Sequence, residues 1–169
     1  MKITLLTLFI TLISTLSTPS LLAAEKSTST SATLSSIPVK IVKKQVSDDF
    51  ETTKENIEMA ITNKGLRVSG TLHVSEMLNR TGKDLGFEKQ IFAKAESVEF
   101  CSALISHKMA IADSANISVC PFTIAIYSYK EKPEAVYISY RLPTLLGEAT
   151  EVTADIKTLL AEIVEEATE

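Results

Sequence analysis

From Phe122 to Tyr140 the chain alternates with a period of two. Phe122, Ile124 and Ile126 alternate with Thr123, Ala125 and Tyr127, and Val136, Ile138 and Tyr140 keep the same beat beyond Glu131-Lys132-Pro133-Glu134. Successive side chains of a strand point to opposite faces, so each run predicts a strand with one buried face. The polar, proline-containing break between them predicts a hairpin turn. The stretch from Ser97 to Arg141 around this hairpin also holds both cysteines and one of the two histidines. The rest of the chain reads as a secretion signal, a tether and the elements that pack against this stretch.

Pro38 opens the folded region, and Val39, Ile41 and Val46 belong to a first strand. Asp48 with Glu51 three residues on has the capping-box arrangement. Phe50, Ile57, Ala60 and Ile61 recur at helical spacing, so 49–64 is predicted helical with Gly65 as its stop. Leu66, Val68, Gly70 and Leu72 alternate in a second strand that reaches Val74, where Gly70 marks a bulge or a close approach. Ser75 is expected to cap a short helix ended by Gly82, and residues 88–95 form a third strand around Ile91 and Ala93.

Val98, Cys101, Leu104, Ile105, Met109 and Ala112 fall on one helical face, which predicts a helix from Ser97; a strand running on to Phe100 is the competing reading. Asp113-Ser114-Ala115-Asn116 is the exit loop. Val152, Ile156, Leu159, Leu160 and Ile163 form a last helix with an acidic outer face. The order β-α-β-α-β-α-β-β-α predicts one α+β domain over residues 38–169. It is an antiparallel or mixed sheet of about five strands with helices packed on one face.

Residues 1–24 have the layout of a cleaved signal peptide. Lys2 is the positive start, Ile3 to Leu16 an apolar core, Pro19 its break, and Ala23-Ala24 the small residues before the cut, although Leu22 stands where a small residue is usual. The apolar run is shorter than the ~20 residues that span a bilayer. No cysteine follows it, which argues against a lipoprotein, and no other stretch is long and apolar enough to span. Residues 25–37, rich in Ser and Thr, are expected to be a disordered linker. The mature protein is therefore expected in an oxidising compartment, the bacterial periplasm.

Lys2 is the only charged residue of 1–24, so of 17 basic residues 16 remain against 21 acidic ones, a net charge of −5. With no cluster of Lys or Arg and only 6% aromatic residues, the chain lacks the footprint of nucleic-acid binding.

Few residues are available for chemistry. Cys101 and Cys120, the only cysteines, leave three readings open: a disulfide, two separate buried thiols, or a ligand or redox role. No Cys-x-x-Cys is present, which removes the thioredoxin motif and covalent c-type haem. His73 and Met77 lie four apart across a strand end and a helix start, and imidazole with thioether suits copper or haem iron. Arg80 close by would hold an anionic ligand. His107 falls off the apolar helical stripe and is expected in solvent. There is no Gly-x-Ser-x-Gly, Walker loop, His-Glu-x-x-His or Gly-x-Gly-x-x-Gly. A Cys101–His73 dyad has no support from spacing.

The segments GLRVSGTLHVSEMLNRTGKDLG, FCSALISHKM, NISVCPFTIAIY and VYISYRLP, in that order, resemble the secreted branch of the domain of unknown function 302 family. The resemblance runs from Gly65 to Pro143. It implies a compact α+β domain, often a homodimer, and no assigned activity. One departure is His107, where members commonly carry Arg. The expectation from the whole reading is a periplasmic binding or interaction domain without a catalytic signature, its ligand and cofactor unspecified. His73, Met77, Arg80 and Cys120 should converge on one concavity at the ends of regular elements. The alternative is a metal- or haem-binding or thiol redox protein using His73, Met77 and the cysteines.

Overall fold

The computed structural model describes residues 40–169; the signal and linker segments fall outside the described residues. The order of elements is the expected one. β1 (Lys40–Val46), α1 (Phe50–Asn63), β2 (Arg67–Leu72), α2 (Val74–Gly82), β3 (Phe92–Cys101), α3 (Ala103–Ala112), β4 (Phe122–Tyr129), β5 (Lys132–Leu142) and α4 (Thr150–Glu166) follow one another, with short 3-10 turns at Lys83–Leu85 and Ser114–Val119. The five strands form one sheet in the order β1-β5-β4-β3-β2, and every neighbouring pair is antiparallel.

One face of the sheet is the core. Val98 and Phe100 of β3, Ile124 and Ile126 of β4, and Val136 and Ile138 of β5 are all buried there. They pack with Ile57 and Ile61 of α1, Met109 of α3, and Ile156, Leu160 and Ile163 of α4 in a single apolar cluster. These helical residues recur three or four apart, the stripe a helix needs to cover a sheet. Among the described residues no helix lies over the centre of the opposite face, an arrangement open to antiparallel sheets.

Local chemistry explains most of the boundaries. Asp49, one position later than expected, caps α1: its Oδ1 accepts the Glu51 and Thr52 amides at 2.9 and 3.1 Å. Gly65 follows α1 at φ 72°. The expected irregularity at Gly70 is a bulge, where the β2–β3 register slips between Val68 and Gly70. Cys101 and Cys120 form a disulfide with Cα atoms 6.0 Å apart, tying the end of β3 to the start of β4. Buried Asn116 donates to the carbonyls of Met109 and Leu146 and accepts the Leu146 amide at 2.8 Å, which pins the loop before α4.

Three expectations are corrected. The helix predicted from Ser97 begins at Ala103, and Val98 and Cys101 belong to β3. Val98 and Phe100 are wholly buried and pair with Ile124 and Phe122, so the period of two wins, and Leu104 is 68% exposed. The hairpin turn is Lys130-Glu131, since Tyr129 pairs with Lys132. Pro133 sits just inside β5 where the register slips, a position that needs no ladder amide from it. Finally, His73 rather than Ser75 precedes α2, and the Ser75 hydroxyl instead accepts the Ala95 amide at 3.0 Å, fastening α2 to β3.

Candidate binding groove

The residues singled out in the sequence do not gather in one place. His73 ends the connection from β2 and lies half-exposed with Nδ1 3.1 Å from Glu96 Oε1. Lys54 Nζ reaches the other oxygen of Glu96 at 2.7 Å. Burial works to raise the Glu96 pKa, but the Lys54 ammonium and the hydrogen bond with His73 outweigh it and hold the carboxyl below its ordinary value. Met77 and Arg80 follow His73 at helical spacing along α2. Cys120 is bonded to Cys101, whose strand position lies five residues beyond Glu96, or about 17 Å at the rise of a strand. Among the described residues no group of three or more His, Cys, Asp or Glu side chains is placed to hold a metal ion.

The concave surface adjoins this group and lies on the other face of the sheet, with Val74 and Glu96 in its lining. The register lines up three rows of side chains across it. Lys43, Ser139, Ala125, Ser97 and Leu72 face one another in sequence from β1 to β2. One row along come Gln45, Tyr137, Tyr127 and Ala95. On the other side stand the pairs Ile41 with Arg141 and Thr123 with Glu99. The middle row is small at its centre. Ser139, Ala125 and Ser97 therefore form the floor of a groove running across the strands, with a tyrosine wall on one side and Arg141 with Thr123 on the other.

Two contiguous concavities mark this groove. One, of about 360 Å³, lies against Tyr127, Tyr129 and Phe92 and reaches Val74 at the start of α2. The other, of about 320 Å³, lies against Thr123, Arg141 and Pro143. Ile41, Ala125 and Ser139 line both.

The wall is an aromatic cluster. Tyr127 and Tyr137 stack with centroids 5.6 Å apart, Phe92 and Tyr129 stack at 6.0 Å, and edge-on contacts join the two pairs. Lys43 Nζ sits 4.2 Å from the centroid of Tyr137, and its ammonium donates to the Tyr129 hydroxyl at 3.4 Å. The contact is a cation–π interaction, the ammonium resting against the negative face of the ring. Desolvation works to lower the Lys43 pKa, but the hydrogen bonds it donates to the Tyr129 and Tyr127 hydroxyls outweigh it and hold the pKa above its ordinary value. Burial in turn raises the Tyr127 pKa, so its phenol stays neutral. None of the ion pairs among the described residues involves Lys43 or Arg141.

A second surface adjoins α2. Leu78, Leu85, Phe87 and Ile91 are exposed by 39, 67, 71 and 59% and surround an open cavity of about 680 Å³.

The model of the family described as "Domain of unknown function DUF302" matches residues 42–168, and the chain belongs to that family. A solved structure of an uncharacterized conserved DUF302 protein from Bacillus stearothermophilus is similar, with a TM-score of 0.60 at 19% identity, over 75% of this chain and 97% of that one. At that identity the likeness speaks for the fold alone. No curated protein matches the chain in sequence.

Proposed function

We propose that this DUF302 domain is a periplasmic binding domain without catalytic chemistry of its own, and that the groove over Ser139, Ala125 and Ser97 receives its ligand. The observation that carries the reading is the groove itself. An exposed sheet face usually presents polar side chains to water, whereas this one presents three of the chain's four tyrosines, Phe92 and a floor of small residues. Small-molecule sites are concave and largely apolar with a few polar groups. The periplasmic location is supported by the signal-like residues 1–24 and by the disulfide, which persists in oxidising compartments.

A homodimer is the second part of the proposal, through the apolar surface formed by Leu78, Leu85, Phe87 and Ile91. The groove on the sheet is then left open to ligand.

Two experiments test this. Expressed from its full gene, the protein should be recovered from the periplasm without its first ~24 residues; an intact N-terminus in the membrane fraction would contradict the location. A small-molecule library screened by protein-observed NMR should shift the amides of Ser97, Ala125 and Ser139 as a group. Hits scattered over the surface and sparing those three would overturn the binding reading.

A further inference from the structure

We infer that the groove takes a planar aromatic carboxylate of one or two rings, its anionic end between Lys43 and Arg141 and its ring against Tyr127 and Tyr137. The inference rests on the binding reading above and adds the chemistry of the ligand.

Three features of the groove argue for it. The first is width. Side chains on one face of a strand repeat about every 6.8 Å, so thinning one row to Ser, Ala and Ser opens a slot about one side chain wide. A flat ring fits such a slot. The second is the wall, whose rings offer offset or edge contacts worth about 0.5–1.5 kcal/mol each beyond burial. The third is charge. Lys43 and Arg141 flank the β1–β5 end of the groove, Lys43 directly opposite Ser139 and Arg141 directly opposite Ile41. Neither has a carboxylate partner among the described residues, and the fork of an Arg guanidinium matches a carboxylate.

The far end sets the length and excludes larger anions. Glu99 faces Thr123 at the β3 side of the groove. A second anionic group there would be repelled, and a polynucleotide would need a longer track of cations. From Lys43 on β1 to Ser97 on β3 is three strand spacings, about 14 Å, which suits one or two fused rings with a single carboxylate.

The test uses the mature protein with 2-naphthoate as probe and 2-naphthamide as its neutral isostere, followed by NMR and calorimetry. Naphthoate should shift the amides of Ser97, Ala125 and Ser139 and bind at least about tenfold more tightly than naphthamide. Lys43→Met and Arg141→Met should each remove most of that preference. Two results overturn the ligand class but leave the groove standing: equal affinity for both probes, or naphthoate binding untouched by either variant. If neither probe nor any library compound shifts the groove amides, both readings fall. If those amides are instead shielded by self-association in the free protein, a second copy occupies the groove and the inference is wrong.

Discussion

Ala125 and Ser139 face each other across β4 and β5, and one row along Tyr127 faces Tyr137. The first pair leaves the groove floor empty, and the second raises its wall. Both follow from a single register, which is set not by the two-residue turn at Lys130-Glu131 alone but by the slip between that turn and Val136, in the stretch of β5 that holds Pro133.

The disulfide gives the first prediction. Cys101 and Cys120 close a loop of 19 positions. Replacing both by Ala should lower unfolding stability by about 3 kcal/mol on the chain-entropy account, read from urea midpoints. Reductant should move wild type to the same midpoint. Equal stability of oxidised and double-variant protein would rule the bridge out as a stabilising element.

Glu96 predicts an acid-side loss of stability. Its carboxyl is held below the ordinary value by Lys54 and His73, against the opposing effect of burial. A depressed folded-state pKa gives stability that is fully present above the unfolded value of about 4.5 and lost as pH falls through the folded value. Between pH 6 and 3 the Glu96→Gln variant should therefore show a shallower decline than wild type in denaturant midpoint. Parallel curves would remove Glu96 from the acid response.

Two glycines with the same backbone should respond differently to Ala. Gly65 and Gly147 have φ of 72° and 73°. A Cβ at Gly65 meets open space, whereas one at Gly147 would collide with the Ala112 carbonyl oxygen. Gly65→Ala should cost about 1 kcal/mol for the left-handed backbone alone. Gly147→Ala should cost clearly more, because the obstacle is backbone and cannot swing aside. Similar melting losses in the two variants would refute the packing argument.

Phe87 is 71% exposed beside Leu85 and Ile91. Light scattering should give about twice the mature mass for wild type, and Phe87→Glu should halve it while leaving the circular dichroism spectrum intact. A wild type that is already monomeric at micromolar concentration would sink the homodimer.

The candidate site was far less legible than the fold. The outward phase of β4 and β5 could be read from alternation, and so could the small size of Ala125 and Ser139 beside Tyr127 and Tyr137. Placing the turn at residues 131–134 hid the pairing. A turn of different length slides one strand along the other and brings different residues face to face. His73, Met77 and Arg80 are close along the chain and stay on one helix, whereas Cys120 is held by Cys101 at the far end of β3. Nothing in the sequence links Arg141 with Lys43, because they lie almost a hundred positions apart and come near each other only through the β1–β5 ladder.

From sequence alone came the order of elements, the α+β class and the buried faces of β4, β5, α1 and α4. These follow from local periodicity, which a chain carries wherever it goes. The tertiary structure decided the rest. Whether residues 98–101 were strand or helix turned on the neighbours Val98 and Phe100 found in β4. Whether the cysteines bonded turned on two strand ends meeting within 6.0 Å. And the groove needed four strands in one register, with Lys43, Ser139, Ala125 and Ser97 in a row. The reason is common to all three. Periodicity says which way a side chain points, but only long-range pairing says what it points at.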